Sequence, residues 1–440
     1  MEYDAIILGG GPGGYSTAIR LGQNGKKALM IEENKIGGEC LNYGCIPSKA
    51  IIEMADAISY LKEMPGVKSS VTIDMKTWQE WKWGMINKLT SGVEKLVTSY
   101  GGEVVKGKGM IVNASSVTVN NETFNARNIV IATGSTPSRI RGIDDVLYNK
   151  EILDVDHIPS SLIVIGGGYI GVELGTAFAK LGSSVTIVEM MPNILPGTDT
   201  DLSRFVERRM NSLGIKIILG AKVDKVTKSG GYKVALASGE ILEADLVVMT
   251  IGRVPVTQGF GLEKINPEMD GKFIKVDKRK RTSVDGVYAV GDVSGPPMLA
   301  HKAFYDAEIA AENISGKVAE VDYMAMPFVI YSDPEIVTTG IKTERFSNVP
   351  LATNGRALGM NYNQGVFRMY VDDDYVIKGA SLVAPRASEL ISEVSLAVEA
   401  GLTSKDLGMT IHPHPTLSEG VKEAAEATYG KSLHFKSSSR

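Results

Sequence analysis

Asp4-Ala5-Ile6-Ile7-Leu8-Gly9-Gly10-Gly11-Pro12-Gly13-Gly14 is an apolar strand that runs directly into a glycine turn. Gly9, Gly11 and Gly14 fit G-x-G-x-x-G, and residues from about Tyr15 to Asn24 read as the helix that follows. A second apolar run, Ala28-Leu29-Met30-Ile31, ends in Glu32. Strand, turn, helix and strand in this order are the parts of a dinucleotide-binding unit. The glycines let the backbone approach a pyrophosphate, and the helix N-terminus offers free N–H groups and the positive end of its dipole. The acid closing the next strand can accept hydrogen bonds from ribose hydroxyls.

The pattern occurs twice. Gly166, Gly168, Gly171 and Glu189 repeat Gly9, Gly11, Gly14 and Glu32 at a constant offset of 157 residues. The second copy is framed by Leu162-Ile163-Val164-Ile165 and Val185-Thr186-Ile187-Val188. One such turn could mark any tight strand-to-helix junction. Two, each with its acid in the same register, predict two dinucleotide sites. A carboxylate at Glu189 suits the free 2′-hydroxyl of NAD and would repel the 2′-phosphate of NADP.

Between the two turns lies Gly37-Gly38-Glu39-Cys40-Leu41-Asn42-Tyr43-Gly44-Cys45-Ile46-Pro47-Ser48-Lys49, which holds both of the chain's 2 cysteines. On a regular helix, residues five apart rise by about 7.5 Å, more than the roughly 4.4–6.8 Å Cα separation of a disulfide. If the pair bonds, the turn must be distorted, and Gly44 and Pro47 would help. A structural staple is one reading, although so short a loop contributes only about 2 kcal/mol. The better-supported reading is a dithiol that cycles between states. Metal binding would need further Cys or His ligands, and the nearest histidine in sequence is His157, so no metal is expected.

The remaining composition narrows the function. The 440 residues are 43% hydrophobic and 22% charged, as for a soluble protein of two to four domains. A net charge of −4 excludes a broad basic footprint, so nucleic acid is not an expected partner. The one basic run, Lys278-Arg279-Lys280-Arg281, reads as a solvated turn. The most apolar stretch, Ser161 to Phe178, carries Glu173 and several glycines, so no membrane segment is expected, and with no signal peptide the expected location is cytoplasmic.

Further candidates lie toward the C-terminus. His412-Pro413-His414-Pro415-Thr416-Leu417-Ser418-Glu419 places two of the 5 histidines near a carboxylate that could fix a tautomer and raise basicity. Glu419 could equally open the helix that follows. Val287-Tyr288-Ala289-Val290-Gly291-Asp292 and Asn128 to Ser135 are apolar strands ending in turns where a cofactor hydroxyl could be held. Ser388 to Gly401 reads as an amphipathic helix with Leu390, Ile391, Val394, Leu396, Ala397 and Val398 on its apolar positions.

Taken in order, these motifs resemble the dihydrolipoamide dehydrogenases, a branch of the pyridine nucleotide–disulfide oxidoreductase family. The likeness runs nearly end to end. It is carried by the two glycine turns, the C-x4-C segment with Ile46-Pro47-Ser48-Lys49, Ala132-Thr133-Gly134, Gly252-Arg253, Gly291-Asp292, Met298-Leu299-Ala300-His301-Lys302-Ala303 and the His-Pro-Thr-Leu-Ser-Glu run. The fold it implies is α/β: two Rossmann-like dinucleotide-binding domains of the glutathione-reductase type plus a C-terminal α+β dimerisation domain. Residues 1–143 and 265–320 would form the FAD-binding domain, 144–264 the NAD-binding domain and 321–440 the interface domain.

The resemblance also implies roles. FAD would be held by Gly9, Gly11, Gly14, Glu32, Lys49, Gly134, Asp292 and Ala300. NAD would be held by Gly166, Gly168, Gly171, Glu189 and Gly252, with Glu173 on that side and paired to Lys49 near the flavin ring. Cys45 would face the flavin as the charge-transfer thiolate, and Cys40 would exchange with substrate. His414, oriented by Glu419, would be the acid/base supplied by the other subunit of a homodimer. The implied reaction oxidises dihydrolipoamide with NAD, on a lipoyl domain or a small dithiol, with a 2-oxo acid dehydrogenase complex as a partner. Reduction of glutathione or a related disulfide is the close alternative, and a redox-silent flavoprotein scaffold or sensor the distant one. The chain departs from the family at Glu39, where Thr is usual, at Pro413 for Ala, at Val256 for Asn, and in a short segment between Gly340 and Leu351. A carboxylate at Glu39 is expected to raise the thiol pKa if it lies close.

Overall fold

A computed structural model describes residues 2–436. The apolar runs that flank the first glycine turn form a parallel sheet. Tyr3–Leu8 lies at its centre, between Ala28–Glu32 and Glu122–Ile131, and Val287–Ala289 adds to the far side of Glu122–Ile131. The register sets Ile6 against both Leu29 and Ile129. All residues of Ala28–Glu32 are buried, as expected for strands covered on both faces. Helix α1 (Pro12–Gln23) follows the turn and starts earlier than the expected Tyr15. Pro12 sits at its first position, where a missing N–H costs nothing.

The cysteine segment continues this unit. It contributes α2 (Gly38–Tyr43) and α3 (Cys45–Glu63), followed by α4 (Met75–Ser99) and, after the strand Ser135–Pro137, the short α5 (Asn149–Ile152). The second glycine turn builds a parallel sheet of its own, ordered Lys216–Ile218, Ser184–Val188, Ser161–Ile165, Leu246–Met249. It carries α6 (Tyr169–Leu181) and α7 (Thr200–Ser212). The C-terminal part is a five-stranded antiparallel sheet, Phe328–Ile330, Glu335–Gly340, Ile377–Ala384, Val366–Val371 and Phe346–Pro350. The expected amphipathic helix is there as Ala387–Glu399 and buries Ile391, Val394, Ala397 and Val398 against it.

One buried ionic junction ties the three bodies together. Lys180 Nζ on α6 meets Asp56 Oδ1 on α3 and Asp333 Oδ2 of the C-terminal part, both at 2.6 Å. Arg209 on α7 pairs with the same Asp333 carboxylate and with Glu63 of α3, each at 2.8 Å. Burial pushes the Asp333 carboxyl up, but Lys180 and Arg209 outweigh it and hold the group below the usual carboxylate range.

Next to this junction, Glu335 behaves oppositely. Burial raises its carboxyl to about 7, against the opposing hydrogen bond that Ser388 N–H donates at 2.7 Å. Between the ordinary value of 4.5 and about 7 the folded chain holds a proton that the unfolded chain has released. Stability from this site is therefore complete below 4.5 and is lost as pH rises through about 7. Glu335→Gln is expected to flatten the fall in apparent melting temperature between pH 5 and 8 by a few degrees. An unchanged slope in that variant would refute the assignment.

The basic run is a turn, but it is not wholly solvated. Lys280 is buried, and its Nζ lies 2.6 Å from Asp306 Oδ1. Lys302 binds the other oxygen of Asp306 at 2.8 Å. The four-residue charge pattern hid this, because Asp306 arrives from a helix more than twenty residues later.

Candidate functional site

The two cysteines are brought together by a break in the helix. Between α2 and α3, Gly44 adopts φ −130°, ψ −103°, far from helical values. A Cβ at this position would press on the Glu39 carbonyl at 3.2 Å, a tight contact that glycine avoids. The Cα atoms of Cys40 and Cys45 approach to 4.6 Å and the sulfurs are bonded. Pro47 falls in the first turn of α3, where N–H groups have no partner inside the helix. Asn42 pins the loop by donating to Ile36 O at 3.0 Å and Gly38 O at 2.9 Å.

This loop lies against the first glycine turn. Gly37 N–H donates to Gly10 O at 2.8 Å. A Cβ on Gly38 would sit 2.7 Å from Gly11 Cα, so position 38 must lack one. On the other side, the Tyr43 ring meets Trp83 edge-on at 6.5 Å and carries Lys150 over its face at 4.9 Å.

Both glycine turns have the donors a pyrophosphate requires. Neither α1 nor α6 has a side-chain cap, so their first N–H groups remain open to an anion. Around Gly168 and Gly134 no atom lies within 4 Å of a Cβ position, which leaves space for a ligand. Glu32 and Glu189 do the same thing in the two halves. Glu32 accepts from Gly10 N at 2.6 Å and Asn34 N at 2.7 Å. Glu189 accepts from Gly167 N at 2.5 Å and Met191 N at 2.7 Å. Each carboxylate thus braces its turn and keeps further lone pairs for ribose hydroxyls. The residues present fit one dinucleotide at each turn.

The expected Lys49–Glu173 pair is formed, with Nζ 2.9 Å from Oε2. Tyr331 completes it. Its N–H donates to Glu173 Oε1 at 3.0 Å, and Lys49 Nζ lies 4.2 Å from its ring centre. Asp292 accepts from Ser135 Oγ at 2.5 Å, and its neighbour Gly291 N donates to the buried Asp306 at 3.1 Å. Ala300 opens the helix Ala300–Ile314, another N-terminus without a side-chain cap. Val256 bonds through its backbone, giving its N–H to Gly134 O at 2.9 Å and accepting from Thr133 Oγ1 at 2.7 Å. The departure from Asn there removes none of these bonds.

The two neighbouring histidines have different environments. His412 is almost fully buried and is engaged by Thr410 O at 2.9 Å and Glu393 Oε1 at 3.1 Å. His414 leaves 77% of its side chain exposed, while its Nδ1 meets Glu419 Oε1 at 2.9 Å. Thr416 N–H steadies the other Glu419 oxygen at 2.8 Å. Burial pushes the Glu419 carboxyl up, but Thr416 and His414 prevail and hold it below the ordinary range. Among the described residues, no hydrogen bond or ion pair joins His414 to the cysteines of its own chain. Leu396, Met409 and Ile411 are exposed as well.

Two dinucleotide cradles, a bonded cysteine pair against one of them and a carboxylate-oriented imidazole define a dithiol–disulfide oxidoreductase. Residues 3–307 match the pyridine nucleotide-disulphide oxidoreductase family, and residues 326–425 match that family's dimerisation domain. The chain is 40% identical to a dihydrolipoyl dehydrogenase of Geobacillus stearothermophilus over 99% of its own length and 98% of the relative's. It is 41% identical to the dihydrolipoyl dehydrogenase of Bacillus subtilis over the same shares. Among solved structures, LpdA from Mycobacterium tuberculosis superposes with a TM-score of 0.90 at 27% identity, covering 96% of this chain and 99% of that one. The HOCl-induced flavoprotein disulfide reductase RclA from Escherichia coli superposes with a TM-score of 0.87 at 26% identity, covering 96% and 99%. The chain belongs to the pyridine nucleotide–disulphide oxidoreductase family. It is a flavoprotein enzyme with FAD and NAD as cofactors, and its dimerisation domain supports a homodimer. No helix among the described residues is long and apolar enough to cross a membrane.

Sequence reading missed several residues around the site. Asn149 holds the cysteine loop at Glu39 and at Tyr43 O, Ser135 holds Arg253 through Oγ and O, and the Tyr331 N–H holds Glu173. Ser135 and Arg253 did lie inside motifs singled out above. Asn149 and Tyr331 carry no local pattern that could have revealed them.

Proposed function

We propose that this enzyme oxidises dihydrolipoamide, free or carried on a lipoyl domain, to lipoamide with NAD as the acceptor. The bonded Cys40–Cys45 pair next to a dinucleotide cradle is the observation that carries this reading. A substrate thiolate attacks Cys40 Sγ, and Cys45 leaves as a thiolate. The second substrate thiol then attacks the substrate sulfur held on Cys40, which releases cyclic lipoamide and a Cys40 thiolate. Two protons leave the substrate one at a time, and His414 Nε2 of the partner subunit takes each in turn, passing the first to water before it takes the second, with Glu419 fixing the proton on Nδ1. FAD, held by Gly9, Gly11, Gly14, Glu32, Lys49, Gly134, Asp292 and Ala300, supplies the two-electron relay between the cysteine pair and NAD. Gly166, Gly168, Gly171, Glu189 and Gly252 form the NAD side, where Glu189 selects against a 2′-phosphate.

The same reading divides the chain into an FAD domain (1–143 and 265–320), an NAD domain (144–264) and an interface domain from 321 onward. The three largest sheets, of seven, four and five strands, fall one to each of these ranges and support this division. We further propose a cytoplasmic enzyme that serves a 2-oxo acid dehydrogenase complex. The relatives' name supports the substrate. RclA, a disulfide reductase of similar fold, supports a disulfide other than lipoamide as the second reading.

The test is turnover of purified holoenzyme with dihydrolipoamide and NAD, run beside glutathione disulfide with NADH. Dihydrolipoamide turnover supports the proposal, and turnover of glutathione disulfide alone overturns it. In the same assay His414→Gln is expected to lower kcat by about 10²–10⁴-fold, the range of a lost general acid/base. A loss below tenfold would remove His414 from the reaction.

A further inference from the structure

Glu39 directly precedes Cys40, and sequence alone shows only an added negative charge there. In the structure this charge has partners. Its Oε1 accepts from Asn149 Nδ2 at 2.7 Å and pairs with Arg253 Nη1 at 3.3 Å. The Arg253 side chain is only 11% exposed. Its remaining nitrogens are committed elsewhere: Nε donates to Ser135 Oγ and Nη2 to Ser135 O, both at 2.8 Å. Ser135 Oγ in turn donates to Asp292. One guanidinium therefore spans from the residue before the first cysteine to the acid proposed to hold FAD.

Asn149 closes the other end. The amide nitrogen that binds Glu39 also donates to Tyr43 O at 2.7 Å, two residues before Cys45. The cysteine loop is thus gripped just outside Cys40 and just before Gly44-Cys45. We propose that Glu39 is a positioning residue: with Asn149 and Arg253 it fastens the cysteine loop to the segment beyond it, and the Arg253 pairing neutralises its charge beside Cys40. The assignment rests on the redox role proposed for the cysteines, but its test reads the thiol and not turnover.

The bond lengths give the two partners opposite effects. Arg253 is held mainly by Ser135, so removing Glu39 leaves a cation in place next to the loop. Glu39 is held mainly by Asn149, so removing Arg253 leaves an anion in place. The other charges facing this loop are Lys35 and Lys150 over Tyr43, Glu32 and Asp154 within electrostatic reach of Tyr43, and the Lys49–Glu173 pair on the α3 side. None of them changes in the variants below.

The experiment uses the Cys45→Ser holoenzyme, in which Cys40 is the only thiol left of 2. The rate of iodoacetamide alkylation is followed against pH. Adding Glu39→Gln is expected to lower the apparent Cys40 pKa, and adding Arg253→Gln to raise it, each by about half to one unit for a single charge at this range. The double substitution should return to within a few tenths of the parent. Shifts of the same sign, no shifts, or failure of the double to return would overturn the proposal. If Arg253→Gln loses its flavin absorbance, Glu39→Gln decides alone: a downward shift supports the pairing and an unchanged or upward one ends it. Dihydrolipoamide turnover by the chain with both cysteines remains a separate measurement, so failure here leaves the proposed reaction standing.

Discussion

Replacing Cys45 by serine is expected to reduce dihydrolipoamide–NAD turnover by about 10³-fold or more, the scale on which removing one member of a concerted catalytic set acts. Without the second sulfur, Cys40 has no disulfide to offer, so a substrate thiolate finds no sulfur electrophile and no leaving thiolate. The loop itself should persist. Gly44 makes the helix break, and Asn42 and Asn149 hold the segment through bonds that do not involve either sulfur. Bound flavin and melting temperature are therefore expected to stay close to those of the parent. Intact-mass measurement after exposure to a symmetric monothiol disulfide should show a mixed disulfide on Cys40 that no second thiol of the chain resolves. Turnover within tenfold of the parent would mean that the Cys40–Cys45 pair is a structural staple.

The second large effect concerns stability. Lys180→Met keeps the length and packing of the side chain but removes the cation between Asp56 and Asp333. Lys180 leaves only 2% of its side chain exposed and Asp333 5%, so water cannot take over. Breaking a buried ion pair on one side costs about 3–5 kcal/mol, because the remaining charge stays buried. Arg209 still neutralises Asp333 in part, which places the expectation at about 3 kcal/mol, the lower end of that range. Apparent melting temperature and urea midpoint should both fall, and flavin should be released earlier on heating. A change under about 1 kcal/mol would show that the junction contributes no more than an exposed pair.

The parts of this molecule that follow local rules were legible from the amino-acid order. The two glycine turns needed no tertiary information, since a strand, three glycines and an acid at fixed spacing report their own geometry. The same holds for the helix Ala387–Glu399, found within two residues from its apolar spacing. The helix break between the cysteines was also foreseeable, because five residues of regular helix cannot bring two sulfurs together. What the sequence did not reveal were pairings between distant segments. Lys280 looked like one member of a solvated basic run, whereas Asp306 buries it. Glu39 looked like an isolated charge beside the thiol, yet Arg253, more than two hundred residues further on, pairs with it. His412 and His414 could not be told apart by spacing. Only burial shows that the first is spent on Glu393 while the second, paired to Glu419, stays exposed.

The junction at Asp333 also bears on motion. Asp333 is reached from α6 by Lys180 and from α7 by Arg209, and those same two cations reach back to α3. α3 begins with Cys45 itself. A hinge between the three bodies would have to break four charged contacts at once, two of them on the buried Asp333 carboxylate. Large swings of one body against another are thus a costly way to bring reactants together. Displacement during a turnover is left to what the junction does not clamp: individual rings, the two sulfurs as they part and rejoin, and the ligands themselves.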